Sequence, residues 1–428
     1  MTRWPSFALF LVTGYLTMTR SFAYIGLPPA KLFIGEVAMA WLLISRPSVV
    51  FSRWFAGVSQ SSAFSAFSIV LACFLGFGWL ELIRGLDHGY PPVLALQGFA
   101  FHYYPLWFFV GLWVANIDWT LLWRTTRMVA WCNGIYGILY IAFLNRMQIA
   151  FPGTFDVPIF GQPAGSAICV LGLLCLEKRL SRIWHLLLVN IIVMLGLQVR
   201  AEYLGFILGA VVWAVLTRRV DRLLIGGIIV AALLTVAFVA DFSAPAPATR
   251  GGHISTREIA GRVIAPFNPE LAAEWDPYAR SQAGTAEWRI RWWKSIWEEI
   301  HQNTGTALFG EGYGYPLAKL VGYTERDIRT PHSIFFYALS YGGWIGVTLF
   351  FALQLTLGWT LWLAWRASRI PFAPVIWVTF LVGAFFGNAF ETPFGAIPFY
   401  LLTGMAAAPL CAASRVRSNR GVMTLCES

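Results

Sequence analysis

The clearest deficit is in charge. Only 12% of the 428 residues are Asp, Glu, Lys or Arg, about half of what an ordinary soluble domain carries. Water therefore cannot be the main solvent of the folded chain. Cysteine is also scarce: Cys73, Cys132, Cys169, Cys175, Cys411 and Cys426 fall in apolar runs or the C-terminal tail. None lies in the longest polar stretch, so no structural disulfide is expected, and each reads as a small packing residue. No Cys/His set has zinc spacing, and no Asp-x-Asp pair offers to hold a catalytic cation, so neither metal nor cofactor is expected. A cleavable secretory leader is not expected either. The first apolar segment, Phe7 to Met18, lacks a small-residue cleavage site and reads as the first of a series of spans. No internal repeat of the inverted-transporter kind is visible.

What the chain has in quantity is hydrophobic surface, at 58% of residues. Stretches such as Phe64 to Ile83, Leu223 to Ala240 and Trp344 to Trp365 meet or approach the roughly 20 residues that cross a bilayer as a helix. The expected fold class is all-α: a polytopic transmembrane helical bundle of about 12 spans. The spans are placed near 6–25, 30–46, 63–84, 92–115, 119–143, 163–176, 183–199, 201–216, 223–240, 336–365, 371–389 and 394–412. The division that follows is 1–240 for spans one to nine and 241–331 for a large, partly helical outer loop. Residues 332–412 then hold spans ten to twelve, and 413–428 form a tail.

A formal charge of +10 would suit a nucleic-acid binder, but the cations sit in short clusters between apolar runs. Alternate turns hold Arg3, Arg46 and Arg53, Arg124 and Arg127, Lys178, Arg179 and Arg182, Arg218, Arg219 and Arg222, Arg366 and Arg369, then Arg415, Arg417 and Arg420. That is sixteen on one side, against five (Arg20, Lys31, Arg84, Arg146, Arg200) in the short loops opposite. The positive-inside rule puts both termini in the cytoplasm and the long loop outside. No nucleic acid is expected as a partner; the lipid bilayer is.

Within the outer loop, Ala244-Pro245-Ala246-Pro247 reads as an extended linker. A helix is expected near 286–302, with Thr285 as N-cap and Asn303-Thr304-Gly305 as its end. At 100° per residue Arg289, Trp293, Ile296 and Ile300 share one stripe, with Trp297 at its margin, and such a Trp-rich helix would suit the membrane interface. Gly310-Glu311-Gly312-Tyr313-Gly314 has no strand before it, so it reads as a flexible turn where backbone passes close to something rather than as a phosphate loop.

Three basic side chains from distant segments converge on the outer face: Arg200 between spans seven and eight, Arg289 on the loop helix, and His332 where the chain re-enters the membrane. Each has a plain alternative. Arg200 can snorkel to water, Arg289 can pair weakly with Glu287 or Glu298 at the surface, and His332 can be an interfacial residue. Yet an imidazole is the side chain that takes a proton from a hydroxyl near neutral pH. Glu202 and Glu391, at outer turns, could orient an arginine or bind sugar hydroxyls, or simply be solvated.

The order Arg200-Ala-Glu-Tyr203-Leu-Gly, Arg289 four residues before Trp293, Leu308-Phe-Gly-Glu-Gly-Tyr-Gly, Pro331-His332-Ser333 and Tyr341-Gly-Gly-Trp-Ile-Gly resembles the bacterial O-antigen ligase and O-antigen polymerase family over about residues 190–350. Two positions depart from its usual pattern: Val199-Arg200-Ala201 where Ser-Arg-Gly is common, and His332-Ser333 where His-Asn is. The resemblance implies transfer of a glycan from an undecaprenyl diphosphate donor to a lipid or glycan acceptor at the periplasmic face of the bacterial inner membrane, without metal. It implies Arg200 and Arg289 as diphosphate ligands, since guanidinium forks match phosphate oxygens. His332 would activate the acceptor hydroxyl, with Glu202, Tyr203, Trp293 and Glu391 in support. A transporter or flippase for lipid-linked saccharides is the competing class, although such proteins place charges at the membrane midplane and repeat their broken helices.

Overall fold

Apolar runs become helices because a backbone surrounded by lipid has to satisfy its own N–H and C=O groups. The computed structural model describes residues 3–27, 32–60, 62–118, 120–147, 149–152, 157–247, 253–265, 268–276, 279–323 and 330–426. Its helices begin with α1 (Arg3–Met18), α2 (Arg20–Ala23), α3 (Ile34–Ser45), α4 (Pro47–Gln60), α5 (Ser62–Asp87), α6 (Pro92–Tyr103) and α7 (Trp107–Ile117). There follow α8 (Leu121–Ala142), α9 (Ser166–Leu176), α10 (Trp184–Leu197), α11 (Arg200–Thr217) and α12 (Val220–Val239). The loop carries α13 (Thr256–Ile264), α14 (Pro269–Trp275), α15 (Ala279–Ile300) and α16 (Thr304–Phe309) before α17 (Ile334–Ser368), α18 (Phe372–Phe386) and α19 (Pro393–Cys426). Two small antiparallel ribbons, Gly26–Leu27 with Leu32–Phe33 and Ser243–Pro245 with His253–Ser255, do not alter the all-α class.

The architecture is that of a multi-pass membrane protein. Among the described residues six helical stretches are long and apolar enough to cross a bilayer: Ser62–Asp87, Pro92–Ile117, Arg200–Thr217, Val220–Val239, Ile334–Ser368 and Pro393–Leu410. A seventh arises if α3 and α4, bent by 79° at Arg46, form one broken span. The remaining expected spans coincide with helices, but α1, α9, α10 and α18 are apolar helices of only 10–17 residues, and α8 carries Arg124 and Arg127. At 1.5 Å per residue, the 11 residues of α9 reach about 16 Å, half the hydrocarbon thickness. Length and composition therefore support six or seven spans directly.

Small residues set the close helix contacts, as expected where lipid offers no hydrophobic drive to association. A methyl on Gly111 would strike the Leu401 carbonyl and one on Gly404 the Phe108 carbonyl, so α7 and α19 pack backbone to backbone. Polar contacts add specificity: Asn133 Nδ2 donates to Ser166 Oγ at 3.0 Å and to Asn190 Oδ1 at 2.9 Å, joining α8, α9 and α10. By contrast, none of the described side chains of α12 is fully buried, although Leu223 packs partly against α11.

The loop helix α15 starts earlier than sequence signals indicate, so Thr285 lies inside it rather than at its N-cap. Ser281-Gln282-Ala283 tolerates a helix, and the single Gly284 costs only about 1 kcal/mol. Its buried stripe is Trp292, Ile296 and Ile300, each at most 1% exposed, while Trp297 is 42% exposed. Trp292 thus packs into protein, its Nε1 donating to the Leu317 carbonyl at 3.0 Å.

The Gly310-to-Gly314 run is clamped between α5 and α17. Arg84, itself paired with buried Glu81 at 2.6 Å, donates to the Phe309 and Gly310 carbonyls at 2.8 and 3.2 Å. The Glu311 and Gly312 amides donate to the Ser340 and Tyr341 carbonyls at 2.9 and 3.1 Å. Tyr313 OH meets His102 Nε2 at 2.5 Å in the interior. Opposite the run, α17 breaks at Gly343 (φ 58°, ψ −159°). A methyl on Gly346 would stand 3.1 Å from the Ala338 oxygen, two turns away in sequence, so the segment before Gly343 folds against the segment after it. At Gly343 a Cβ would collide with the Leu308 and Gly310 backbone. Gly343→Ala is predicted to cost about 1–3 kcal/mol and to lower the unfolding temperature in detergent. Gly227→Ala, whose methyl meets open space, should not lower it; equal unfolding temperatures for the two variants would contradict the packing described.

Candidate functional site

The site begins with the pairing of α11 and α18. Thr217 lines a common recess with Pro371, Ala210, Trp213 and Ala214 cluster with Val375, and Gly205 and Gly209 both lie against Thr379. As numbers fall along α11 they rise along α18, so the helices are antiparallel, and the same register places Arg200 opposite Phe386. Close-packed axes of this kind are about 8–10 Å apart.

The turn before Arg200 is held from two sides. Gln198 adopts a left-handed conformation (φ 53°), and its Nε2 donates to the His253 carbonyl at 3.2 Å. Its Oε1 accepts from Arg262, which is 2% exposed and also donates to Asp276 Oδ2 at 2.8 Å and Glu258 Oε2 at 3.3 Å. A buried cation with several charge-assisted partners fixes its surroundings, because losing one partner leaves a charge uncompensated. The Arg262 carbonyl in turn accepts from Arg200 Nη1 at 3.5 Å. The α13–α14 lobe is therefore tied to the start of α11.

From the other side α15 presents Arg289 and Trp293. Arg289 Nη1 donates to the Phe386 carbonyl at 3.3 Å, the residue opposite Arg200. Trp293 Nε1 donates to the Pro331 carbonyl at 2.7 Å, and its ring stacks on Phe336 at 5.1 Å with 10° between planes. Thr330 Oγ1 donates to Asn388 Oδ1 at 2.7 Å. These contacts hold the chain on both sides of His332, which takes a left-handed conformation (φ 54°) uncommon for a side chain of this size. Burial and the neighbouring Arg289 cation lower the His332 pKa to about 4, so its imidazole is neutral at neutral pH and has a lone pair to offer.

Arg289, Trp293 and His332 are thus brought together, and Arg200 lies across the α11–α18 contact from the carbonyl that Arg289 grips. Glu391 sits five residues beyond Phe386, is 6% exposed, and burial pushes its carboxyl up to about 8. Glu202 and Tyr203 have bracing positions: the Glu202 carboxylate accepts from the Ala167 amide at 3.1 Å in the first turn of α9, where a helix favours negative charge. Tyr203 OH donates to the Leu195 carbonyl at 3.1 Å.

Sequence reading missed Gln198, Arg262, Asp276 and Asn388. Their contacts bridge 14 to 64 residues, and no local spacing signals them. Among the described residues no group of three or more His, Cys, Asp or Glu side chains could hold a metal ion. Chemically, the cluster offers two guanidinium groups for an anion and a neutral imidazole for a proton.

No curated protein matches the chain. Residues 183–351 match the family described as O-antigen ligase, and this span includes Arg200, Arg262, Arg289, Trp293, His332 and the Gly343 break. Over these residues, 169 of 428, the chain is similar to the O-antigen ligase family.

Proposed function

We propose that the protein moves an oligosaccharide or polysaccharide from undecaprenyl diphosphate to a lipid or glycan acceptor at the periplasmic face of the bacterial inner membrane, as an O-antigen ligase or polysaccharide polymerase. The observation that carries this reading is the meeting of Arg289 and His332 across the α15–α17 contact; the α11–α18 register supports a place for Arg200 near them. The cation-rich turns support the sidedness. Lys178, Arg219 and Arg369 gather around the end of the α11–α18 pair remote from Arg200, as expected if that end faces the cytoplasm. The full twelve-span count belongs to this reading, with α8 and the shorter helices α1, α9, α10 and α18 included.

In the proposed reaction Arg200 and Arg289 bind the donor diphosphate. His332 accepts the proton of the acceptor hydroxyl as that oxygen attacks the anomeric carbon. The bond from that carbon to the diphosphate oxygen breaks, and undecaprenyl diphosphate departs with its added charge held by the guanidinium groups. A single displacement inverts the anomeric centre. Glu391, protonated at neutral pH, keeps the turn next to Phe386 free of negative charge toward the donor.

The electrostatics also couple donor binding to base strength. The Arg289 cation is one cause of the low His332 pKa, and a bound diphosphate offsets that cation. Donor binding therefore raises the imidazole's affinity for a proton at the moment a proton must be taken.

Two predictions follow from these assignments. Arg289→Ala and His332→Ala should each reduce glycan transfer by about 10²- to 10³-fold in liposomes with purified protein and lipid-linked donor, while the variants remain folded. Full transfer by either variant, or leaflet exchange of the donor without covalent transfer, would contradict the assignment. For the pH profile, the base form of His332 is lost as pH falls, so kcat/KM for the donor should decline through about 4 rather than near 6.5. The acid limb of kcat, which reports the donor complex, should lie at higher pH. Arg289→Gln should also move the kcat/KM limb upward, and coincident limbs in all cases would refute the coupling.

A further inference from the structure

At the end of the bundle remote from Arg200 and His332, the C termini of α9, α11 and α17 and the start of α18 surround a recess of about 280 Å³. Trp213 and Trp365 form its walls, and Trp213 Nε1 donates to the Leu174 carbonyl at 3.2 Å across its base. Lys178, Arg219 and Arg369 line it together with one carboxylate, Glu177, which accepts from the Arg179 amide at 3.1 Å. None of the three cations forms an ion pair among the described residues.

A simpler account deserves weighing, since helix C termini attract cations and cytoplasmic turns accumulate them. Each C terminus is equivalent to about half a negative charge. Three such ends and Glu177 offset most, but not all, of the three cations, and the α18 N terminus adds back about half a positive charge. A net charge of about plus one remains in a concave, Trp-walled site, which matches a single phosphodiester.

We propose that this recess binds a phosphate-bearing anion, delivered as the headgroup of an anionic phospholipid. Basic pockets between transmembrane helices hold such headgroups at the cytoplasmic side. The neighbouring surface suits acyl chains: Val220 and Leu224 at the start of α12 are exposed, as is Trp362, whose ring lies 4.5 Å from that of Trp365. The proposal does not depend on the transfer chemistry at the other end of the bundle.

The test is native mass spectrometry of the detergent-purified full chain with phosphatidylglycerol, phosphatidylcholine or inorganic phosphate. The unmodified protein should retain phosphatidylglycerol in preference to phosphatidylcholine. Arg219→Gln/Arg369→Gln should retain it at least 10-fold less, while Arg219→Lys/Arg369→Lys, which preserves the charge, should retain most of it. An unchanged unfolding temperature in the glutamine variant shows that the loss is not misfolding. Failure of millimolar inorganic phosphate to displace the lipid supports the headgroup as occupant; displacement supports the same anion site with a soluble occupant. Equal retention of both lipids, or undiminished retention by the glutamine variant, would overturn the proposal.

Discussion

The structure of the site depends on the antiparallel packing of α11 against α18 through Gly205, Gly209 and Thr379. Because two glycines let the helices approach closely, their register carries over to their ends, and Arg200 comes level with Phe386. The Phe386 carbonyl then serves as the acceptor that orients Arg289. Neither arginine is placed by its own segment alone. One is set by the start of a transmembrane helix, the other by a loop helix whose Trp292, Ile296 and Ile300 are buried in the main hydrophobic core.

Charge is divided between the two ends of the bundle in different ways. At one end Arg262 is spent internally on Gln198, Glu258 and Asp276, while Arg289 lies beside His332. Burial, helped by the Arg289 cation, keeps the imidazole in its neutral form; under the proposed function one residue would both attract an anionic donor and tune the base beside it. At the other end Lys178, Arg219 and Arg369 ring a recess without forming ion pairs among the described residues. A protein so poor in charge thus concentrates what it has where spans end.

The all-α, multi-pass fold was legible because apolar run length and interrupting cations are local properties. Helix breaks were harder to read. The 79° bend at Arg46 comes just before Pro47, which disfavours a helical residue ahead of it, the break at Gly343 lies against the Leu308 and Gly310 backbone, and the 16 residues of α1 fall short of a span by length alone. At the site, Arg289 and His332 stand out in sequence because a cation on a Trp-bearing helix face and a histidine at a span entry are unusual. Trp292 did not stand out beside Trp293, since a shift of one residue on a Trp-rich helix decides which ring is buried. The Gln198–Arg262 contact spans 64 residues and exists only once the α13–α14 lobe has folded over the α10–α11 turn. Glu202 and Tyr203 belong to a conspicuous segment, yet their bonds to Ala167 and Leu195 are those of residues that brace a turn.

The central claim is that Arg200 and Arg289, one on each side of the α11–α18 contact, grip a single diphosphate. The most direct measurement is a double-mutant cycle on the Kd for undecaprenyl diphosphate, comparing the unmodified protein with Arg200→Gln, Arg289→Gln and the double variant. Shared recognition predicts that each single change weakens binding and that the two effects are coupled by about 0.5–3 kcal/mol, as for residues acting on one partner. Strictly additive losses, or binding unaffected by either change, would contradict it.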